Sequence, residues 1–377
     1  MSESNFRVPV TKILEIGPHS NADKLEFCRV FDFSVITQKQ KYQVGSTVIY
    51  IPVDSILPTE LESKIFGPDS KIKLNKSRVR QIRIRGLASQ GMLVDPAILG
   101  LSNLTEGDDL AEKLGITKYE PQPEFSSNLP KVKKEHNRYY ENPYFHQYGG
   151  LQNIKWYPDM FIEGQEVVYQ EKIHGSNFRC GWLPQEPKNL WQKFLKLVGK
   201  FPKYQFCFGS NTVQRQHKDK KDTSTFYGED IYFKMVQKYD LKNKLQPNET
   251  LYAEIYGPGI QKGYEYGLPN SEHRIAVFDI KKLAEDKKSN QWLTVGEVTD
   301  FCKERALPTV PVLYRGPHSK ELAKEYTLGA SALYTGQKVR EGIVIRDPKE
   351  TTCYAGKKFF KLISEDYLSD ETNTDNH

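Results

Sequence analysis

Cysteine is scarce: Cys28, Cys180, Cys207, Cys302 and Cys353 are the five in 377 residues, odd in number and never spaced as C-x-x-C. That argues against a disulfide framework and against a zinc knuckle, and leaves buried or half-buried free thiols. No apolar run approaches the ~20 residues that a membrane-spanning helix needs, so a soluble chain with no membrane partner is expected. The amino terminus has neither a basic start followed by an apolar stretch nor the Arg and Ser bias of a transit peptide, which points to the cytoplasm. An internal repeat is lacking too. Charge of one sign is barely in excess: 54 Lys and Arg stand against 48 Asp and Glu, a net of +6. Any basic surface must come from local clustering, so charge permits a nucleic-acid partner without demanding one.

At about 100 to 200 residues per domain, the length suits two domains, each able to bury a core. Residues 25–34 and 47–52 read as short strands, with a turn-rich stretch at 17–23. This rhythm predicts a small β-barrel over residues 1–125. Within it Arg78, Arg80, Arg83 and Arg85 alternate, which would set them along one side of a strand or extended loop, within reach of phosphate oxygens. Residues 126–153, rich in Pro, Lys, Asn, His and Tyr, read as a linker. In residues 154–368, strand-like runs (166–170, 250–255, 273–278, 341–346) alternate with helix-like ones (226–240, 294–305, 319–328), which predicts an α+β domain with a largely antiparallel sheet. Residues 191–198 carry apolar side chains at helical spacing and read as a surface insertion between two strands, and the polar tail 369–377 is expected to be disordered.

The chemistry concentrates after a strand-like run, in Glu171-Lys172-Ile173-His174-Gly175-Ser176-Asn177. A lysine at a strand end beside a glycine turn suits a nucleotide pocket, because the turn lets a ligand approach the backbone. Such a lysine attacks phosphorus only as the neutral amine, so desolvation or nearby positive charge must lower its pKa. Three blocks follow: Glu254 between apolar strand residues, Phe278-Asp279 at a strand end, and Glu341-Gly342 opening an apolar strand. A fourth, Lys357-Lys358-Phe359-Phe360-Lys361, sets lysines beside aromatics. Taken singly, each has a plain structural explanation: surface-paired carboxylates, a core aromatic, a hydrogen-bonded histidine. Their order along the chain is what chance does not supply.

In that order the blocks resemble the covalent nucleotidyltransferase superfamily of polynucleotide ligases and capping enzymes. Lys172-Ile173-His174-Gly175-x-Asn177 is similar to its RNA-ligase branch, where histidine replaces the aspartate usual in DNA ligases. Glu106-Gly107-Asp108-Asp109 with Leu114-Gly115-Ile116-Thr117-Lys118 resembles the amino-terminal barrel of the RNA ligases known from the amoeba Naegleria and from Deinococcus. The resemblance implies an ATP-grasp-like nucleotidyltransferase domain, antiparallel sheets with helices, preceded by a small OB-type barrel. It implies an ATP-dependent enzyme that seals 3'-OH/5'-phosphate nicks in RNA or RNA/DNA hybrid duplexes as a monomer. Lys172 would form lysyl-AMP; Lys361, and with it Lys358, would neutralise the phosphate; Glu254 and Glu341 would hold Mg2+ or Mn2+. Phe278 would stack on adenine, Glu171 would contact the adenine edge or ribose beside Ile173, and His174 and Asn177 would serve the later steps.

Two positions depart from the pattern. Ser210 stands where many ligases have arginine, with Arg215 as the candidate replacement, and Ile363 stands where a second motif lysine is usual. The run 217–222 (His-Lys-Asp-Lys-Lys-Asp) reads as a solvated loop. Residues 19–25 also resemble the opening of tRNA-binding barrels on synthetases, which would shift the partner toward structured tRNA. Alternatives are a DNA ligase or capping-type guanylyltransferase, or a non-catalytic nucleic-acid-binding protein retaining the fold. NAD dependence is disfavoured, since neither a nicotinamide module nor a four-cysteine zinc element is found.

Overall fold

The computed structural model describes residues 6–67, 73–119, 142–215, 230–284, 286, 289–354 and 356–369. Most of the expected linker, the loop 217–222, the start of the 226–240 helix and the end of the tail therefore lie outside the described residues. By packing, the chain divides into Met1–Gln122 with Gln152–Ile162 and Glu365–His377, and Pro123–Leu151 with Glu163–Ser364.

The first unit is built from short antiparallel strands. Thr47–Ile51 is flanked by Val10–Lys12 and Met92–Val94, and Leu25–Val30 by Glu15–Pro18 and Phe33–Gln38. Strict alternation in Leu25–Val30 puts Cys28 and Val30 inward, where they join Phe33, Val35 and Tyr50 in one core. Trp156 closes that core edge-on, 5.0 Å from Phe33 and 5.4 Å from Tyr50 between ring centroids.

The expected row of arginines is not formed. Arg78 is buried, paired with Asp54 at 2.5 Å and stacked 3.7 Å from the Tyr119 ring. The alternation stops where the hairpin Ile82–Ile84/Leu87–Ser89 turns at Arg85, whose φ of 48° is left-handed. Arg83 pairs with Asp366 at 3.2 Å. Arg78 is thus a core cation, and the hairpin turn ends the single extended stretch that the spacing implied.

The second unit is built on two large antiparallel sheets, beside the small hairpin Thr352–Cys353/Gly356–Lys357. In one, Glu166–Lys172 lies between Val312–Pro317 and Gly342–Arg346, which in turn pairs with Phe359–Ile363. In the other the order is Gln214–Arg215, Tyr204–Gly209, Ser176–Pro184, Glu249–Tyr256, Arg274–Leu283, Asn290–Trp292. Helices cover these sheets with faces set by their spacing. Ile231–Lys238 buries Ile231, Tyr232, Met235 and Val236 beneath an Asp230 cap, and Val295–Glu304 buries Val295, Val298, Phe301 and Cys302. Thr294 and Glu297 close the latter with a reciprocal capping box. Lys320–Thr327 starts at a Ser319 cap. The anticipated insertion is the helix Leu190–Leu197, capped by Asn189, with no buried side chain. Cys28, Cys180, Cys207 and Cys302 are buried free thiols and Cys353 is half-buried. Among the described residues no helix is long and apolar enough to cross a membrane.

Lys281 is an unusual resident of the second sheet: buried, 2.7 Å from His146 Nδ1 and 5.5 Å from the Trp292 ring centroid. Burial, with the Arg179 charge nearby, pulls its ammonium down from 10.5 to about 8. Below about pH 8 both folded and unfolded chains hold this proton and the folded state bears the full burial cost; between about 8 and 10.5 only the unfolded chain holds it. Stability contributed by this group therefore rises with pH through that window. Urea unfolding of wild type and Lys281→Met from pH 7 to 10 will show a gain in the difference between them; parallel profiles would refute the assignment.

Candidate active site

Both sheets of the second unit contribute to one pocket of about 300 Å³. Its lining includes Gln170, Glu171, Lys172, Ile173, Val344, Arg346, Phe359 and Lys361 on the first sheet, and Asn177, Glu254 and Phe278 on the second. Lys172 ends its strand opposite Gly342, next to Glu341. The Lys172 ammonium lies 2.7 Å from Glu341 Oε1, and His174 Nδ1 lies 3.7 Å from Oε2 of the same carboxylate. Gly175 is required directly after His174, because a Cβ there would meet the Ile255 carbonyl oxygen at 2.2 Å. The turn can thereby press against the Glu249–Tyr256 strand, where Asn177 pairs directly with Glu254.

The electrostatics of this corner are set by two acids around one base. Glu254 retains some solvent-accessible surface but is densely surrounded. Burial pushes its carboxyl up to about 8, Lys172 opposing the shift and the Glu341 charge adding to it. Glu341 Oε2 and Asn177 Oδ1 are buried without a hydrogen-bond partner. Two close carboxylates and an amide oxygen, incompletely satisfied, are the donor set of a hard divalent cation that completes its shell with substrate oxygens and water. Among the described residues no group of three or more His, Cys, Asp or Glu side chains could hold a metal by itself. The donor chemistry therefore fits an ion shared with a bound anion.

Phe278 reaches the pocket through a bulge. Tyr252 pairs with Asp279 and Ala253 with Val277, so Phe278 is the extra residue between them. Arg346 fixes that bulge: its Nη1 donates to the Phe278 carbonyl at 2.8 Å and to Gln170 Oε1 at 3.3 Å. Its Nη2 meets Asp279 at 3.2 Å and Glu350 at 2.6 Å. Asp279 also accepts from Tyr148 at 2.7 Å and from Lys357 at 2.6 Å. The Tyr148 ring stands edge-on to Phe278 at 4.9 Å. Asn211 accepts from the Tyr148 N–H at 2.7 Å and donates to its carbonyl at 3.3 Å, holding the pocket-lining Tyr148-Gly149-Gly150-Leu151 in place.

Of the residues singled out from sequence, Glu171, Lys172, Ile173, Asn177, Glu254, Phe278 and Lys361 line this pocket, and His174 and Glu341 stand at Lys172. One oxygen of the Glu171 carboxylate, Oε2, accepts from the Ala332 N–H at 2.7 Å, and burial pushes the group up against hydrogen bonds from Ser331 and Ala332. Its other oxygen, Oε1, is buried without a hydrogen-bond partner. Lys358 donates to Gln165 at 3.1 Å, outside the lining, while the Arg215 guanidinium sits 5.3 Å over the Tyr232 ring, also outside it. Near Ser210 the observed cation is Arg179, fully buried, whose Nε donates to the Ser210 carbonyl at 2.8 Å and which stacks on Phe145. Arg346, Tyr148 and Asn211 were missed. The acid-aromatic pair Phe278-Asp279 hinted at a buried cation partner, but Tyr148 and Asn211 carry no local signal.

Asp279 is the shared acceptor of three side chains and has no solvent exposure. Replacing it with asparagine leaves Arg346 and Lys357 to share Glu350 as their buried countercharge, and losing one partner of such a buried network costs about 3–5 kcal/mol. Denaturant titration of Asp279→Asn checks this; a loss under about 1 kcal/mol would show that Glu350 suffices.

Residues 165–363 match the family model for RNA ligase, and residues 7–96 match an OB-fold domain model. Among solved structures, the RNA ligase of Naegleria gruberi with PPi is similar at a TM-score of 0.70 and 23% identity, covering 96% of this chain and 97% of that one. A variant of that protein with ATP and Mn is similar at 0.70 and 22%, again covering 96% and 97%. Among curated proteins, the phenylalanine–tRNA ligase beta subunit of Ehrlichia canis is 28% identical over 96 residues, 24% of this chain and 10% of that protein. That of Ehrlichia ruminantium is 25% identical over 127 residues, 33% of this chain and 14% of that protein, so the chain spans a small part of these curated relatives. The fold is an OB-type barrel followed by a mixed α+β catalytic domain, and with the ligase model matching more than half its length, this chain belongs to the RNA ligase family.

Proposed function

We propose that this enzyme joins a 3'-OH to a 5'-phosphate at nicks in duplex RNA or RNA/DNA hybrid, using ATP and carrying AMP on Lys172. The reading is carried by one observation: Lys172 shares a pocket with Glu254, Phe278 and Lys361 and lies 2.7 Å from Glu341. Neutral Lys172 Nζ attacks the ATP α-phosphorus, a P–N bond forms, and the bond to the β-phosphate oxygen breaks to release pyrophosphate. An RNA 5'-phosphate oxygen then attacks the same phosphorus and frees the lysine. Finally the 3'-hydroxyl attacks the 5'-phosphate phosphorus and expels AMP.

Lys361 offsets negative charge on the transferring phosphate, electrostatic stabilisation being the main catalytic contribution open to in-line displacement at phosphorus. Phe278, fixed by Arg346, offers a face for adenine. His174 and Asn177 orient the later attacks. Glu254 and Glu341 are the residues that would hold Mg2+ or Mn2+, and such an ion would supply positive charge to phosphate oxygens. Lys358 and Arg215, placed away from the lining, are left out of this assignment. The barrel is assigned to backbone contacts with the duplex, and the enzyme to the cytoplasm as a monomer.

Incubation with ATP labelled at the α-phosphate should leave label on the denatured wild-type protein and none on Lys172→Ala, whose thermal unfolding should be unchanged. Label retained by the variant would sink the proposal, and a preference for GTP would favour capping chemistry. A panel of nicked duplexes varying ribose and deoxyribose at each terminus should show sealing that requires ribose at the 3'-OH end. Equal sealing of all-DNA nicks would instead favour a DNA ligase.

A further inference from the structure

We propose that the helix Leu190–Leu197 seats this chain on an anionic lipid surface. It is an insertion between Ser176–Pro184 and Tyr204–Gly209, and its apolar side chains serve no core. Leu190 and Leu197 are 83% and 84% exposed, Trp191 66% and Phe194 51%, with Val198 at the C-cap also exposed. At ~100° per residue these fall on one arc, which leaves Lys193 and Lys196 outside it, and Lys200 follows just past the helix end. Trp191 and Phe194 stack with ring centroids 5.6 Å apart, so the arc presents a broad aromatic surface. Contiguous apolar exposure of this kind marks a surface that another body covers.

Charge selects the body. Lys188, Lys193, Lys196, Lys200 and Lys203 accompany a single acid between residues 186 and 203, Glu186, which pairs with Lys196 at 3.0 Å. Five lysines on each copy oppose a two-fold pairing of this face with itself. A nucleic-acid backbone would satisfy the lysines but leave Leu190, Phe194 and Leu197 in contact with water or phosphate. A surface of anionic headgroups over acyl chains satisfies both sides at once: Trp, Phe and Leu enter the interface and the lysines stay among the phosphates. Counting apolar runs could not find this, because here the apolar residues make a face and not a run.

The test uses the full chain with vesicles of phosphatidylcholine alone and with phosphatidylserine added, read by flotation and by tryptophan emission. Wild type should float with the anionic vesicles and show a blue shift from Trp191. Leu190→Ser with Phe194→Ser and Leu197→Ser, and separately Lys193→Glu with Lys196→Glu and Lys200→Glu, should each lower the apparent affinity about tenfold or more while keeping the wild-type unfolding midpoint. Failure of wild type to float with either vesicle overturns the proposal, as does equal flotation of the serine variant. Duplex RNA binding that falls in the glutamate variant but not in the serine variant, without vesicle binding, would reassign the lysines to nucleic acid. A vesicle-free dimer in sedimentation, lost in the serine variant, would reassign the face to a second copy.

Discussion

A buried guanidinium with every donor direction occupied holds the second unit together. Arg346 belongs to one sheet and touches Phe278 and Asp279 of the other, with Gln170 and Glu350 completing its shell. Taking such a cation out of water is unfavourable by several kcal/mol and is offset only when its partners are all present. The arrangement therefore works as a registry device: the two sheets approach correctly, or a charge is stranded. Lys357 and Tyr148 donate to the same Asp279, so one carboxylate anchors Arg346, Lys357 and the pocket-lining Tyr148.

From that constraint follows the shape of the pocket. The bulge that turns Phe278 inward is pinned by Arg346 through its carbonyl, and Tyr148 braces the ring from the side. Asn211 then holds the glycine pair 149–150 along the pocket. A face for a flat apolar group is thereby built before any ligand arrives, which reduces the ordering that binding requires.

At the other end of the pocket the chemistry is one of restraint. Lys172 rests against Glu341, its Nζ 2.7 Å from Oε1. Glu254 feels the same corner from the opposite strand and is driven toward its neutral form by burial and by Glu341. A site of this design responds to incoming positive charge and to the departure of water, both of which come with a nucleotide and its counterion.

What the sequence by itself determined was the order of the chemical groups and the period of the elements. Lys172-x-His174-Gly175, Glu254, Phe278, Glu341 and Lys361 could be read in line because strand ends and glycine turns are local, and they do converge. Alternation likewise foretold Leu25–Val30, and the helix-like runs 294–305 and 319–328 foretold Val295–Glu304 and Lys320–Thr327. Tertiary structure alone decided which way side chains faced where a bulge or a turn breaks the period. That is how Arg78 became a core cation and Arg346 a clamp, while Glu171 turned to Ala332 and Lys358 to Gln165. It also brought Tyr148 and Asn211 to the pocket from a stretch that composition marks as linker and from a turn. Their contacts span 63 and 131 residues, and no local propensity encodes a partner that distant.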